Sequence, residues 1–293
     1  MMKDVSINFT IVTPSFNYGH FIEDCLKSVA IQHGVILEHL IYDAGSTDDT
    51  LKVIAKYPHA KVVQESDKGM SDAINKGFKA AKGEWVMWLN ADDLLKPGAL
   101  KAILEFSQGK GHDVIYSGWD FVDTEGDMIR AMTLFPFQKK MMHYLICYIG
   151  STAAFYRRET VIDEGHYLNE DFRYVMDGEY YNRLASLGKQ FGYFHARIAD
   201  FRMHGDNLSL RHRNKENRTA SDELVRQKQF AESLTIVRCY GQQLVKNSPW
   251  IWFVDGILNV FFKIQKFLLK RIYRWMVPLK KLEELSIRDG ESK

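Results

Sequence analysis

The feature that most constrains this chain is a repeat of form. Between residues 8 and 89 a short apolar run is followed, several times over, by an amphipathic stretch. Runs of four or five residues rich in Val, Ile and aromatics read as strands, and stretches with apolar residues three and four apart read as helices. Their alternation marks βα units around a parallel sheet. Strands are expected at 9–13, 39–42, 61–64 and 85–89, and helices at 21–31, 48–56 and 71–81. Ser46 followed by Asp49 reads as a capping box with a shorter acid, and Gly83 after Lys82 as a left-handed helix stop.

Beyond Pro97 the order is less regular: a helix at 98–106, an apolar run at 114–116, a strand candidate at 152–156, a helix at 178–187 and a strand at 190–194. A polar, basic loop at 204–215 leads to a long helical region beginning near Asn217. The pattern predicts an α/β protein with an open, twisted, mixed sheet and a helical C-terminal extension. A chain of 293 residues is enough for one large domain plus such an appendage.

Composition narrows the partners. A formal net charge of +2 gives no electrostatic case for nucleic acid, and no recognition helix, zinc finger or aromatic RNA-binding motif is present. Cys25, Cys147 and Cys239 are dispersed and odd in number, which fits reduced thiols in a cytoplasm. The first residues carry no basic run followed by an apolar stretch, so a cytosolic site is expected.

The chemistry is written where the strands end. The first ends in Thr13-Pro14-Ser15-Phe16-Asn17, the second in Asp43-Ala44-Gly45-Ser46-Thr47-Asp48, the third just before Asp67-Lys68-Gly69-Met70-Ser71-Asp72, and the fourth in Asn90-Ala91-Asp92-Asp93. In open α/β sheets ligands bind outside the carboxyl ends of the strands. Asp, Gly and Ser also build plain turns, but four polar clusters on one rim, three of them with Asp, exceed what turns require. Such a rim would repel a bare diphosphate, so an anionic nucleotide there needs a divalent cation with oxygen ligands, Mg2+ or Mn2+. Neither a P-loop nor a Gly-x-Gly-x-x-Gly motif is present.

These four clusters, in this order and with Asn75-Lys76-Gly77 closing the third, resemble family 2 glycosyltransferases over about residues 8 to 205. The resemblance implies a GT-A type fold with a Rossmann-like nucleotide-binding half, a nucleotide-sugar donor with UDP favoured, and inversion at the anomeric carbon. It implies a catalytic domain over 1–213, with a nucleotide-sugar half at 1–96 and an acceptor half at 97–213, followed by helices over 214–293. By position it sets Thr13, Pro14, Phe16 and Asn17 against the nucleoside and Asp43 at the base edge. Asp67, Lys68, Gly69 and Asp72 would lie near base and ribose or the phosphates. Asn90, Ala91 and Asp92 form an Asp-x-Asp-like motif in which Asn90 departs from the usual Asp, leaving Asp92 as the main carboxylate for the metal and the part of Asp93 open. His204 falls where some relatives supply a second metal ligand.

The base that deprotonates the acceptor must come from another segment, because inverting displacement attacks opposite the leaving group. The resemblance points to Asp177, with Glu179 as the alternative and Glu170 and Asp171 as competitors; the plain reading is that Asp177 caps its helix. At 250–281 basic and apolar residues separate onto opposite helical faces, Lys263, Lys266, Lys270, Arg271 and Arg274 against Ile257, Phe261, Ile264, Leu268, Ile272 and Trp275. No run is long enough to span a bilayer, so an in-plane helix on an anionic membrane is expected, beside a glycan or lipid-linked acceptor; packing on protein is the alternative. Two other functions compete: a nucleotidyltransferase, and a nucleotide-sugar-binding module without catalysis.

Overall fold

The computed structural model describes residues 6–145, 147–205, 207 and 220–241, together with 260, 261, 263–265, 267, 268 and 271. Its first half follows the βα alternation: β1 (Phe9–Ser15), α1 (Ile22–Ala30), β2 (Leu37–Asp43), α2 (Thr50–Ile54), β3 (Ala60–Gln64), α3 (Met70–Ala80) and β4 (Trp85–Trp88). These strands are parallel and ordered β3-β2-β1-β4. The order reverses between β1 and β4, and the chain therefore leaves a crevice at their carboxyl ends.

Register decides which side chains face which layer. Thr13 pairs with Ile41, and Ile41 packs with Ile22, Leu26 and Ile54, so this face is covered by α1 and α2. Val12 pairs with Leu40 on the other face, under α3, where Gly77 lies so close that an added Cβ would sit 2.2 Å from Val12 Cγ1. Burial on both faces explains why β1 and β4 read as unbroken apolar runs.

The second half is mixed. It comprises β5 (Leu94–Leu95), α4 (Ala99–Ser107), β6 (Val114–Val122), β7 (Met128–Met132), α5 (Lys139–Leu145), β8 (Ala154–Arg157), α6 (Met176–Ser186), β9 (Phe191–Arg202) and α7 (Ala220–Ile236). β8 joins β4 and β6 antiparallel, β6 runs parallel to β9, and β5 and β7 add to the edges. β9 is much longer than the expected 190–194: its alternation of covered and half-covered residues runs to Ile198, and after a break the strand continues to a buried Arg202 along β6. β6 likewise extends to Val122, and β5, β7 and α5 are elements the sequence reading did not contain.

Three local expectations are corrected. The Ser46–Asp49 capping box does not form: α2 starts at Thr50, and Ser46 bonds back to Asp43 Oδ2 at 2.6 Å. The second helix is accordingly shorter than 48–56. Gly83 is not a left-handed stop. A Cβ there would lie 2.4 Å from both Phe9 C and Thr10 N, so glycine is required by the approach of β1's backbone. Asp177 does not cap α6 from outside; Val175 is the N-cap residue and Asp177 lies within the first turn.

Candidate active site

The β1 and β2 loops are zipped together. Asn17, the one non-glycine residue at positive φ among those described (58°), donates its N–H to Ser46 Oγ at 2.8 Å, and its Oδ1 accepts from Thr47 N at 2.9 Å. Asp48 Oδ2 accepts from Gly19 N at 2.9 Å. Asn tolerates this left-handed conformation better than a bulky residue. The zipper leaves Phe16 standing out, 55% exposed at the rim of the crevice.

Neighbouring positions face elsewhere. Thr13 is fully buried toward α1, its hydroxyl 2.9 Å from His39 Nε2, and Pro14 is buried within β1. Only their backbones could meet a ligand. Asp43 is 0% exposed and spends its carboxylate on its own loop: Oδ1 accepts from Gly45 N at 3.0 Å and Ser46 N at 2.8 Å, and Oδ2 from the Ser46 hydroxyl. A base could reach Oδ2 only after Ser46 swings away.

The third cluster turns the chain into α3. Asp67 Oδ1 accepts from Gly69 N at 2.9 Å, and Asp72 Oδ2 from Lys68 N at 3.0 Å. Gly69 has φ 131° and ψ 174°, a conformation open essentially to glycine alone. The Lys68 side chain is exposed, whereas Asp72 is tied to Lys76 at 3.3 Å.

The fourth cluster meets the end of β9. Asp92 Oδ2 lies 2.8 Å from His204 Nε2, across 112 residues of sequence, and also accepts from Asn207 Nδ2 at 3.2 Å. Asn207 Oδ1 in turn accepts from His204 N at 2.6 Å, holding the histidine in place. The carboxylate and imidazole named as metal ligands are thus brought together. Ala91 points away, into the cluster of Ile22 and Leu26 on α1.

Asp93 is the hub beneath. Fully buried, its Oδ2 accepts from Thr152 Oγ1 at 2.8 Å and Asn90 Nδ2 at 3.1 Å, and its Oδ1 from Arg202 N at 3.2 Å. Burial, with the charge of Asp92 beside it, pushes its carboxyl well above the usual range. Asn90 makes sense here, since its amide donates to Asp93 where an aspartate would add a third negative charge. Its Oδ1 is buried with no partner, as is Ser15 Oγ at the end of β1, so both strands flanking the switch point offer an unsatisfied polar atom. Thr152, Arg202 and Asn207 carry no sequence signal of this role; only the fold, which brings the end of β9 to the loop after β4, reveals it.

Asp177 reaches the same rim through α3. The Ser71 hydroxyl, at the start of α3, lies 3.4 Å from Phe172 O and 3.0 Å from Met176 Sδ, so the starts of α3 and α6 touch. Asp177 Oδ1 accepts from Gly178 N at 2.8 Å, and desolvation raises its carboxyl to about 6. Glu179 is differently placed: buried, it binds Arg183 Nε at 2.8 Å and accepts from the Tyr240 hydroxyl at 2.9 Å. Asp171 is exposed, and Glu170 lies 3.4 Å from Asn75 Nδ2.

A divalent cation fits these residues. Asp92 Oδ2 and His204 Nε2 converge, and Asp92 Oδ1 takes no bond from the described residues. Among the described residues no group of three or more His, Cys, Asp or Glu is gathered for a metal. Mg2+ and Mn2+ sites commonly need no more, since substrate phosphates and water complete the shell.

A parallel half with acids at its strand ends, closed by a mixed half that returns a histidine to them, defines a nucleotide-binding α/β fold of the GT-A type. The glycosyl transferase family 2 model matches residues 10–164, more than half of the chain, and the chain belongs to that family. It is 28% identical over 209 residues to the chondroitin synthase of Escherichia coli, covering 69% of this chain but only 30% of that protein. It is also 28% identical over 191 residues to a PGL/p-HBAD biosynthesis glycosyltransferase of Mycobacterium bovis, covering 61% and 70% respectively. In fold it is similar to residues 1–349 of S. aureus TarS in complex with UDP-GlcNAc, with TM-score 0.63, 20% identity, and coverage of 95% and 78%. The mannosyltransferase PcManGT from Pyrobaculum calidifontis, in complex with GDP-Man and Mn2+, gives TM-score 0.53 at 13% identity, covering 90% and 88%. Family membership sets the nucleotidyltransferase alternative aside.

Proposed function

We propose that this chain is an inverting glycosyltransferase that moves a sugar from a UDP-sugar to a hydroxyl of a glycan or lipid-linked saccharide, at the cytoplasmic face of a membrane. The observation that carries the reading is the Asp92–His204 pair at the sheet's switch point, with Asp177 on the same rim. Phe16 would stack on the base, and the backbones of Thr13, Pro14 and Asn17 would line its edge. Asp43 would shape the loop around the base, meeting it once Ser46 moves. Asp67, Lys68, Gly69 and Asp72 would flank ribose and phosphates, with Asn90 Oδ1 accepting from a ligand hydroxyl.

Asp92 and His204 would hold Mn2+ or Mg2+, which when bound neutralises charge on the departing diphosphate. Asp177 would take the acceptor proton as that oxygen forms its bond to the anomeric carbon. The bond to the diphosphate breaks as the new one forms, and the configuration inverts. TarS with UDP-GlcNAc supports a UDP-sugar and PcManGT with Mn2+ supports the metal; chondroitin synthase and the mycobacterial relative support a glycan or envelope acceptor.

The membrane part rests on the amphipathic pattern of 250–281, most of which lies outside the described residues. No helix among the described residues is long and apolar enough to cross a bilayer. Within 260–271, Val260, Ile264, Phe267 and Leu268 are all exposed large apolar residues, which argues against packing on the catalytic domain. An in-plane helix would bury them in lipid with its cations at the headgroups.

The test is UDP release and product anomer by NMR with a panel of UDP-sugars and Mn2+. Turnover with inversion, lost in Asp177→Asn by about 100-fold or more, is expected. Retention of configuration would contradict the mechanism. Donor binding without any turnover or hydrolysis would favour the non-catalytic module.

A further inference from the structure

Glu232 lies in α7, outside every motif of the donor site. Its carboxylate nevertheless takes three consecutive backbone N–H groups: Arg173 donates to Oε1 at 3.1 Å, and Tyr174 and Val175 donate to Oε2 at 2.8 and 3.1 Å. They lie in the segment that leads into α6 and ends at its N-cap residue, Val175, which makes no side-chain cap bond. That segment is held from another element by a full negative charge, and charge-assisted bonds of this kind are stronger than neutral ones.

A second tie lies two residues beyond Asp177. The Tyr240 hydroxyl donates to Glu179 Oε1 at 2.9 Å, and the Tyr240 ring stacks on His143 with centroids 6.0 Å apart. His143 Nδ1 is 2.8 Å from Asn182 Oδ1, farther along α6. The C-terminal helical segment therefore grips α6 before and after Asp177. The Asp177 carboxylate is itself bonded to Gly178 N of the same turn, so its aim follows the backbone that Glu232 holds.

We propose that Glu232 is a positioning residue for sugar transfer: from α7 it fixes residues 173–175, the lead into α6, and so the aim of the Asp177 carboxylate two residues on. This rests on Asp177 being the base. Asp92, His204 and the β1–β2 loops are built by other elements, and among the described residues the start of α3 hydrogen-bonds to this segment only through Ser71, so Glu232 acts mainly on the chemical step and leaves UDP affinity within about twofold.

The experiment compares Glu232→Ala, Glu232→Gln and Asp177→Asn in the full chain. It reads UDP release from UDP-glucose, UDP-galactose, UDP-N-acetylglucosamine and UDP-glucuronic acid with Mn2+, the Kd for UDP with Mn2+, and amide exchange at residues 173–175. Glu232→Ala is expected to lower kcat about 10- to 100-fold, since a small displacement of a catalytic group costs that much, with UDP affinity kept within about twofold. Glu232→Gln keeps an acceptor oxygen and is expected to recover most of the rate. Exchange at 173–175 should be slow in the wild type and fast in Glu232→Ala, a readout that needs no sugar donor. Wild-type kcat in Glu232→Ala, an equal loss of UDP affinity, or unchanged exchange would each overturn the proposal. An inactive Asp177→Asn beside an unimpaired Glu232→Ala would sink positioning alone; an active Asp177→Asn would sink the base reading and the route through it.

Discussion

At the scale of single residues, burial sets the titration of Asp177, the proposed base. Tyr156 and Tyr181 lie close to it, and removal from water raises its carboxyl to about 6. The raised value means the folded protein holds a proton there that the unfolded chain releases near pH 4. Its favourable contribution is full below about pH 4 and is lost as pH rises through about 6. Asp177→Asn, neutral throughout, should therefore melt higher than wild type at pH 7, by on the order of 1–3 kcal/mol, with the gap closing toward pH 4. Calorimetry across this range checks it; equal melting at pH 7 would show that the carboxylate is well solvated. In the active enzyme the rate should fall on the acid side near pH 6. The acids were visible in the sequence as types and spacings, but their directions were not. Thr13 stands in the same run as Phe16, yet strand alternation and the cover of α1 turn one into the core and leave the other at the rim. Nothing in the residue type of Asp43 shows that its own loop claims the carboxylate.

At the scale of elements, the legible parts were those whose burial is uniform. β1, β2 and β4 could be read because parallel strands covered on both faces carry mostly apolar residues, while the edge strand β3, largely exposed, showed only through Val62 and Val63. β9 could not be read to its end, since its half-open positions carry Arg197, Asp200 and their neighbours, which look like a loop. β5 is two residues long and has no pattern to show. Gly83 was noticed for the wrong reason. Its Cβ space is filled by β1 backbone, which cannot rotate aside as a side chain would. Gly83→Ala should thus destabilise the fold by about 1–3 kcal/mol or more through overpacking, whereas Gly109→Ala, where nothing lies within 4 Å, should cost less despite its positive φ. Denaturant midpoints of the two variants test the ranking; a milder effect at position 83 would refute it.

At the scale of the whole molecule, the site is assembled from both halves of the sheet. The family resemblance set Asp92 and His204 at one metal site, but the sequence did not show the long return of β9 that brings them together. Nor could it show that α7 reaches back to α6, since Glu232 has no motif around it. Among the described residues of the C-terminal stretch, Val260, Phe261, Ile264, Phe267 and Leu268 are exposed. With anionic liposomes the protein should co-sediment, and salt should release it, because attraction of Lys and Arg to headgroups is screened by ions. Indifference to both lipid charge and salt would rule out the membrane reading. The central claim, a metal-dependent nucleotide site at the β1–β4 switch point, is tested most directly by thermal stabilisation. UDP, GDP, dTDP and CDP, each with and without Mn2+, are compared on wild type, Asp92→Ala and His204→Ala. A ligand that binds the native state raises the melting temperature. Stabilisation by UDP that needs Mn2+ and disappears in both variants is the predicted result; stabilisation by no nucleotide, or by UDP equally in all three proteins, would contradict the account.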